Sequence, residues 1–280
     1  MRLKVVTVLV AVVCIFIVGF GKVFYTNKIE AQAVEDQKQY NKFEKEEAAK
    51  DKKRVEQLKA EKNENLIKWL QYRSTQKDKI TLSVLGSSVT AGSGASDSSH
   101  RWANLLTNYL EIDVDDINPI NLVNNGYGGY STSELINDKK IDEVVKNKPD
   151  VVIFELCLLN NFGEKVSLEK TTQDINYIME TLSKELPDSL IVIQTANSIP
   201  NKNANGIGLT YDDYNKYAEQ YVQSKGWNFI NTYEQFDDEV INKELNYNDI
   251  LNDGIHPTDK GYAIWYNILK NEVNKTAIKQ

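Results

Sequence analysis

Residues 79–94 read KITLSVLGSSVTAGSG, an apolar run rich in β-branched residues followed directly by a loop of small, uncharged residues. This order is typical of a buried strand that leads into a tight turn. Similar runs recur along the chain, and we predict five strands in total. They are KITLSVLG (79–86), PINLVNNG (119–126), PDVVIFEL (149–156), SLIVIQTAN (189–197) and WNFINTY (227–233).

Helical patterns follow the predicted strands. They cover residues 101–110, 131–148, 171–186, 210–226 and 258–273. Strands that alternate with helices of this length predict a parallel sheet covered on both faces, and therefore an α/β domain. Ligands of such sheets lie beyond the carboxyl ends of the strands. We therefore expect the loops at 86–94, 124–132 and 157–164 to meet at one edge.

Two common types of glycine- or serine-containing site are excluded by their spacing. GYGGYS (126–131) has serine where the dinucleotide-binding pattern G-x-G-x-x-G requires its third glycine, and no G-x-x-x-x-G-K-[ST] occurs. The nucleophile elbow G-x-S-x-G also fails, because GSSVT (86–90) ends in threonine. These mismatches argue against a nucleotide site and against the α/β-hydrolase fold.

A serine nucleophile needs a base, and the chain offers two histidines. His100 has only Asp97 as a nearby carboxylate, and we expect it on the surface or in a loop; the alternative is that it lines the site. His256 follows Asp253 by three residues across a glycine-containing turn. This spacing lets the carboxylate accept a hydrogen bond from Nδ1 and leaves Nε2 facing a nucleophile. An ordinary turn before a helix can have the same Asp-x-x-His spacing. The interpretation as a catalytic pair therefore depends on the combination of this spacing with the serine-containing loop at 86–94.

Blocks in residues 78–280 resemble the SGNH hydrolases, also called the GDSL esterase/lipase family. LGSSVTAGSG is similar to the G-D-S-L block, with Ser87 in place of aspartate and Ser88 at the nucleophile. NNGYGGYST resembles N-x-G-x-x-G and places Gly129 at the glycine whose amide serves the oxyanion hole. DGIHP supplies Asp253 and His256.

The remaining block, VVIFELCLLNNF (151–162), departs from the family's G-x-N-D. Leu158 stands for the glycine and Asn161 for the aspartate. Asn160 is then the oxyanion asparagine, and Asn161 is the alternative.

The resemblance implies a flavodoxin-like three-layer α/β/α fold with a five-stranded parallel sheet, and acyl-ester chemistry. Ser88 attacks an ester carbonyl, His256 takes its proton and Asp253 orients the ring. The amides of Ser88 and Gly129, with the side chain of Asn160, hold the oxyanion. This chemistry requires no metal and no organic cofactor.

Other residues near the predicted site have simpler interpretations. Ser87, Thr90 and Ser93 are expected to form turns rather than act as nucleophiles. The acidic stretches at 212–213 and 237–239 suit solvated helix starts better than a metal site. Four aromatic residues either stack on a sugar ring at the predicted mouth or belong to the core: Trp102, Tyr127, Tyr130 and Phe162.

The N-terminal segment predicts a membrane anchor. After Arg2 and Lys4, 17 uncharged residues run from Val5 to Gly21, and a spanning helix needs about 20 apolar residues. The early basic residues favour a cytoplasmic N-terminus and an exported remainder. A cleaved signal peptide is the alternative, because AQA (31–33) has the spacing of a cleavage site.

A charged helical stalk is predicted next. Residues 28–77 contain no glycine or proline and are rich in Glu, Lys, Gln and Ala, without the sustained heptads of a coiled coil. Leu66, Ile67, Trp69 and Leu70 alone are apolar enough to pack on the following domain. The predicted organisation is a signal anchor (1–27), a stalk (28–77) and a catalytic domain (78–280).

Charge and cysteine content narrow the partners. Residues 79–280 carry 17 basic and 29 acidic side chains, which argues against nucleic acid. With only two cysteines, Cys14 and Cys157, the sequence predicts no disulfide framework.

The predicted function is an extracytoplasmic serine esterase, bound to the membrane through its N-terminal helix, that removes small acyl groups such as acetyl from a carbohydrate or related ester. The alternatives are an O-acyltransferase of cell-surface polysaccharide with the same triad, and a non-catalytic surface-binding module.

Overall fold

Five strands form one sheet, as the sequence predicts. The computed structural model describes residues 2–279. The strands are β1 (Ile80–Gly86), β2 (Ile120–Gly126), β3 (Val151–Glu155), β4 (Leu190–Gln194) and β5 (Asn228–Ile230). They lie in the order β2-β1-β3-β4-β5, and every neighbouring pair is parallel. This order is that of the flavodoxin-like fold.

Helices connect and cover the strands. They are α1 (Arg2–Glu61), α2 (Leu66–Ser74), α3 (Ser88–Ala91), α4 (Trp102–Ile112), α5 (Thr132–Asn137), α6 (Lys140–Lys146), α7 (Leu158–Glu164), α8 (Leu168–Glu185), α9 (Tyr211–Lys225), α10 (Thr232–Asn242), α11 (Tyr247–Ile250) and α12 (Asp259–Lys275). The single helix predicted at 131–148 is divided into α5 and α6. Lys139, with φ of 56°, adopts a left-handed backbone that an α-helix does not continue through. The sequence patterns did not indicate α7, α10 or α11, nor the short α3, which lies within the loop predicted at 86–94.

Two apolar cores lie on opposite faces of the sheet. Successive side chains of a strand point to opposite faces, and β3 divides in this way. Val151 and Ile153 belong to a cluster with α2, α4 and α12. Val152 and Phe154 belong to a second cluster with α5, α6, α8 and α9. The result is the predicted three-layer α/β/α arrangement, with a sheet buried on both sides.

The apolar cluster predicted at the end of the stalk is part of the core. Leu66, Ile67, Trp69 and Leu70 are all buried on α2. Asn65 begins this helix, and its side chain accepts a hydrogen bond from the amide of Lys68 at 2.9 Å. This cap satisfies a backbone donor that has no partner within the helix.

Contacts separate the chain into two compact units, Met1–Gln57 and Leu58–Gln280. Within residues 2–57 the helix α1 exposes nearly all of its side chains. It is the one helix among residues 2–279 that is long and apolar enough to cross a membrane, a test that signal sequences also pass. The division into anchor, stalk and catalytic domain stays a prediction.

Candidate active site

Ser88 lies at the carboxyl edge of the sheet, where β1 turns sharply into α3. Gly86 ends the strand, and a Cβ atom there would lie 2.6 Å from Oε2 of Glu155, so a larger residue does not fit. Ser87 is buried and extended, and Ser88 is the first residue of the helix. The first amides of a helix have no acceptor within it. The turn therefore presents both the hydroxyl and the amide of Ser88.

Ser88, His256 and Asp253 form a continuous series of hydrogen-bond contacts. Oγ of Ser88 lies 2.9 Å from Nε2 of His256, across 168 positions in the sequence. Nδ1 of His256 lies 2.7 Å from Oδ2 of Asp253. The fold thus brings together all three residues that the sequence analysis selected as nucleophile, base and orienting acid.

The Asp253 carboxylate also organises the backbone of its own loop. Its Oδ1 accepts hydrogen bonds from the amides of Ile255 and His256 at 3.0 and 2.8 Å. Partial burial raises the pKa of Asp253, but the bonds from the His256 amide and ring and from the Ile255 amide outweigh that effect and lower the pKa to about 2. Asp253 is therefore charged at neutral pH, as an acid that stabilises an imidazolium must be.

Neighbouring loops hold the His256 loop in place. Gly94, with φ of 91°, approaches so closely that a Cβ atom there would lie 2.5 Å from the carbonyl oxygen of Pro257. The fully buried Asn197 donates from Nδ2 to the carbonyl of Ile255 at 3.0 Å. Gly94 ends the block LGSSVTAGSG, but the sequence did not indicate its contact with the His256 loop, and no sequence motif marked Asn197.

Gly129 lies in a turn beside the Ser88 turn. The parallel register pairs Gly86 with Gly126, and the amide of Tyr127 donates to the carbonyl of Gly86 at 2.9 Å. The amide of Tyr130 closes the turn onto Tyr127 at 3.3 Å. Gly129 has φ of 82°, a conformation that glycine adopts without strain. Within residues 2–279, no backbone carbonyl and no side chain accepts a hydrogen bond from the amide of Ser88 or from that of Gly129. Both amides are therefore available to a ligand.

The two asparagines of the altered block have different surroundings. Asn161 is fully buried. Its Oδ1 accepts from the amide of Thr132 at 2.9 Å, and its Nδ2 donates to the hydroxyls of Thr132 and Thr171 at 2.9 and 3.0 Å. Asn160 is half-buried, and its side chain makes no hydrogen bond within residues 2–279. Asn161 is thus committed to fixing the start of α5, which leaves Asn160 as the available amide.

The backbone after β3 differs from the expected alignment. Leu158, aligned with the glycine of G-x-N-D, is the first residue of α7, whereas the preceding Cys157 has the left-handed φ of 54°. A left-handed position is where glycine is favoured. If Cys157 is aligned with the glycine of G-x-N-D instead, Leu159 occupies the asparagine position. The role of Asn160 in the oxyanion hole therefore stays a prediction.

The second histidine lies on the surface, as predicted. His100 ends a 3-10 turn (Ser98–His100), and its Nδ1 lies 3.2 Å from Oδ1 of Asp97. Nearby, the amide and hydroxyl of Ser96 donate to Asp259, the first residue of α12, at 2.8 and 2.7 Å. This segment therefore ties the loop after Ser88 to the helix that follows His256.

The four aromatic residues near the predicted mouth fall into two groups. Trp102 is fully buried and stacks on Trp265 with ring centroids 5.7 Å apart, so it belongs to the core. Phe162 packs against tyrosines of α9. Tyr127 and Tyr130 are half-buried with centroids 5.4 Å apart, one on each side of the Gly129 turn. Of these four aromatic residues, only Tyr127 and Tyr130 flank Gly129, one of the three proposed oxyanion donors.

The acidic stretches have structural partners. Asp213 and Thr210 form a reciprocal cap at the start of α9. Asp212 accepts from the hydroxyl of Tyr233, and Asp237 accepts from that of Tyr247. Within residues 2–279, histidine, cysteine and carboxylate side chains form no group of three or more suited to hold a metal ion.

A cavity of about 610 Å³ lies away from Ser88. Its lining includes Trp69 and Trp227 together with Leu190 and Asn228, the first residues of β4 and β5. Because all strands are parallel, strand starts and Ser88 lie at opposite edges of the sheet. The cavity is therefore separate from the candidate active site.

Comparison with known proteins identifies the family. The sequence profile of the GDSL-like lipase/acylhydrolase family matches residues 84–264, a range that contains Ser88, Asp253 and His256. A search of curated protein sequences gave no match.

Solved structures share the fold. A two-domain esterase active on acetylated mannans has a TM-score of 0.63 and 17% identity, over 76% of this chain and 54% of the esterase. This chain thus spans about half the length of that protein. A catalytic mutant of an acetylxylan esterase from Geobacillus stearothermophilus has a TM-score of 0.56 and 18% identity, over 72% of this chain and 97% of the other. A lipolytic G-D-S-L family protein from Veillonella parvula has a TM-score of 0.54 and 14% identity, over 69% and 97%.

These identities establish a common fold, whereas the profile match covers more than half of the chain and establishes the family. The chain belongs to the GDSL-like lipase/acylhydrolase family, a family of carboxylic ester hydrolases.

Proposed function

We propose that this protein is a serine esterase that removes small acyl groups, such as acetyl, from a carbohydrate or related ester. The observation that carries the proposal is the series of contacts from Ser88 Oγ through the His256 ring to Asp253, at 2.9 and 2.7 Å. The family supports ester hydrolysis. The fold shared with esterases named for acetylated mannans and acetylxylan supports the choice of acyl group and alcohol.

The acylation step follows from these positions. Ser88 Oγ attacks the ester carbonyl while Nε2 of His256 takes the hydroxyl proton, and Asp253 stabilises the imidazolium that results. His256 then gives the proton to the leaving alcohol as the tetrahedral intermediate collapses. The products of this half-reaction are the free alcohol and an acyl-Ser88 ester.

Deacylation repeats the sequence with water. His256 takes a proton from water, the hydroxide adds to the acyl carbon, and collapse returns the proton to Ser88 with release of the carboxylic acid. The amides of Ser88 and Gly129 and the side chain of Asn160 hold the oxyanion in both half-reactions. Loss of one such donor typically costs about 2.7–4 kcal/mol of transition-state stabilisation.

The proposed location is a membrane, with the catalytic domain on the extracytoplasmic side. The apolar part of α1 is long enough to span a bilayer, and Arg2 and Lys4 precede it, which favours a cytoplasmic N-terminus. In this arrangement residues 1–27 anchor the protein, 28–77 form the stalk and 78–280 form the catalytic domain. Secretion after signal cleavage is the alternative, and the molecular mass of the mature protein distinguishes the two.

The test is hydrolysis of p-nitrophenyl acetate and butyrate by the full-length protein in detergent, followed by acetate release from acetylated xylan and mannan. We expect acetate to be preferred, and Ser88→Ala and His256→Ala to abolish turnover. Ser93→Ala is the matched control, since Ser93 lies on the same loop, and its side chain makes no hydrogen bond within residues 2–279. This control should retain wild-type kinetics.

Other outcomes would contradict the proposal. Unchanged activity in Ser88→Ala removes Ser88 from the catalytic role. Transfer of the acyl group to an added sugar at the expense of hydrolysis identifies an acyltransferase with the same triad. No turnover together with no fluorophosphonate labelling of Ser88 leaves a binding module on this fold.

A further inference from the structure

A buried carboxylate lies directly beneath the Ser88 turn. Glu155 is the last residue of β3 and is fully buried. Its Oε2 accepts hydrogen bonds from the amide and hydroxyl of Ser87 at 2.7 and 2.8 Å and from the hydroxyl of Thr90 at 3.2 Å. Its Oε1 accepts from the amide of Cys157 at 2.8 Å. Four donors thus converge on one side chain, and three of them come from residues beside Ser88.

The other end of the same strand holds a carboxylate of a different kind. Asp150, which precedes β3, is also buried, but it pairs with Arg73 at 2.8 Å and Lys77 at 2.5 Å, besides accepting the amide of Thr81. Glu155 forms no ion pair with any residue in 2–279. Burying an unpaired charge is costly, and backbone and hydroxyl donors offset that cost only while the site stays closely ordered.

The three donors of the Ser88 turn lie on both sides of the nucleophile. Ser87 immediately precedes Ser88, and Thr90 follows it within α3. A Cβ atom on Gly86 would contact Thr90 and lie 2.6 Å from Oε2 of Glu155, so the strand end packs directly on this group. Glu155 accepts a hydrogen bond from the amide of Ser87, whereas the next amide along the chain, that of Ser88, has no acceptor within residues 2–279.

We propose that Glu155 is a positioning residue, whose carboxylate fixes the Ser87–Thr90 turn so that Ser88 presents its hydroxyl to His256 and its amide to the oxyanion. This inference rests on the proposed role of Ser88 as nucleophile. Ser87 occupies the aspartate position of the family's G-D-S-L block, so the carboxylate at this turn comes from β3 instead. Burial raises the pKa of Glu155, and the bonds from Ser87, Cys157 and Thr90 oppose that rise.

An amide in place of this carboxylate cannot satisfy the same donors. In Glu155→Gln one end of the side chain becomes NH₂, which donates and does not accept. If the NH₂ replaces Oε2, the amide of Ser87 loses its acceptor; if it replaces Oε1, the amide of Cys157 does. Either orientation leaves a buried backbone donor unpaired. In the first the Ser87 turn loses its acceptor, and in the second the NH₂ group faces the amide of Cys157, so that two donors repel each other and displace the side chain that holds the turn.

The test compares Glu155→Gln with Asp150→Asn in the full-length protein, using p-nitrophenyl acetate. Both changes replace a buried carboxyl group by an amide and should lower the urea midpoint of unfolding. We expect kcat of Glu155→Gln to fall by about 10- to 100-fold with KM within about twofold of wild type, because a small misplacement of a nucleophile acts on the chemical step. Asp150 lies roughly 16 Å away along the strand, so Asp150→Asn should keep kcat within about twofold.

A kcat in Glu155→Gln equal to that of wild type or of Asp150→Asn overturns the inference. If Glu155→Gln does not fold, Thr90→Val removes one of the four donors and should lower kcat about threefold at constant KM. Thr107→Val is its control, because Thr107 is a buried threonine of α4 that donates to Ala103. Equal kcat in the two threonine variants also overturns the inference. Hydrolysis that survives Ser88→Ala contradicts the proposed function itself, so the two failures are distinguishable.

Discussion

The same short pattern occurs twice in this chain, as Asp97-x-x-His100 and as Asp253-x-x-His256. In both segments the aspartate contacts Nδ1 of the ring, at 3.2 Å in the first and 2.7 Å in the second. The segments differ on the other side of the ring, where Nε2 of His256 lies 2.9 Å from Oγ of Ser88. Spacing along the chain therefore creates an Asp–His contact, but only the fold adds a nucleophile to one of them.

The partners of each aspartate explain the difference further. Asp97 receives its shortest bonds from the hydroxyl and amide of Ser99, at 2.5 and 2.7 Å, so it mainly closes an exposed turn. Asp253 receives its bonds from the amides of Ile255 and His256 and from the His256 ring. The first carboxylate serves a turn, whereas the second holds both the backbone and the side chain of a histidine.

The largest effect is expected from removing each imidazole in turn. His256→Ala should lower kcat/KM for p-nitrophenyl acetate by roughly 10⁴-fold or more, because Ser88 loses the base that takes its proton. His100→Ala should stay within about threefold of wild type, since the ring of His100 contacts Asp97, Ser96 and Asp259 but not Ser88. Steady-state kinetics of the two variants measure the difference. Comparable losses in both would mean that His100 also serves the reaction.

Removing each carboxylate should give a smaller difference of the same sign. Asp253→Asn should lower kcat/KM by up to about 10⁴-fold, because an amide does not stabilise the imidazolium and favours the wrong tautomer. Asp97→Asn removes a turn contact and should cost less than about threefold. If Asp253→Asn hydrolyses the ester at the wild-type rate, Asp253 is a turn residue like Asp97.

The sequence predicted those parts of the fold whose signal is local. The five strands are short apolar runs bounded by turn residues, and all five are confirmed. The blocks that contain Ser88 and His256 could be recognised from the sequence because glycines and a proline surround these residues. The division of 131–148 was not predicted, because the left-handed backbone at Lys139 has no glycine to mark it.

Contacts between distant segments could not be predicted in this way. Asn160 and Asn161 are adjacent and chemically identical, yet only Asn161 is enclosed by Thr132 and Thr171. Glu155 did leave a signal, as the one charged residue among apolar neighbours in VVIFEL. A charge inside a strand buried on both faces indicates a specific partner, but the partner itself, the turn at Ser87, follows only from the register of β1 beside β3.

The contact between Gly94 and the His256 loop gives a third and smaller test. Gly94→Ala adds a Cβ atom 2.5 Å from the carbonyl of Pro257 and 3.1 Å from Cβ of His256, and should lower kcat about tenfold by moving the base. Gly208→Ala is the matched control, because Gly208 has a similar φ of 82° with nothing within 4 Å of the added atom. Both variants should lose stability through backbone strain. Equal kcat in the two would mean that the Gly94 contact does not position His256.

The smallest expected effect is on the two aspartate pKa values, measured by carboxyl-carbon NMR titration of the full-length protein. Partial burial raises the pKa of Asp253. The hydrogen bonds from the amide and ring of His256 outweigh this effect and are the main reason that the pKa is lowered to about 2. In His256→Ala it should rise toward the ordinary value, because the ring bond is lost. The pKa of Asp97 is lowered chiefly by Ser99, so it should change little in His100→Ala and rise in Ser99→Ala.

A depressed pKa in the native state stabilises the fold above the unfolded value, and this stabilisation is lost as pH falls through the native value. For Asp253 the loss should fall between about pH 4 and pH 2, and it should be small because the side chain is 54% exposed. Urea unfolding of wild type and Asp253→Asn across that range measures it, and the two stabilities should converge at the acid end. A gap that stays constant from pH 5 to pH 2 would mean that the bonds to Asp253 do not depend on its charge.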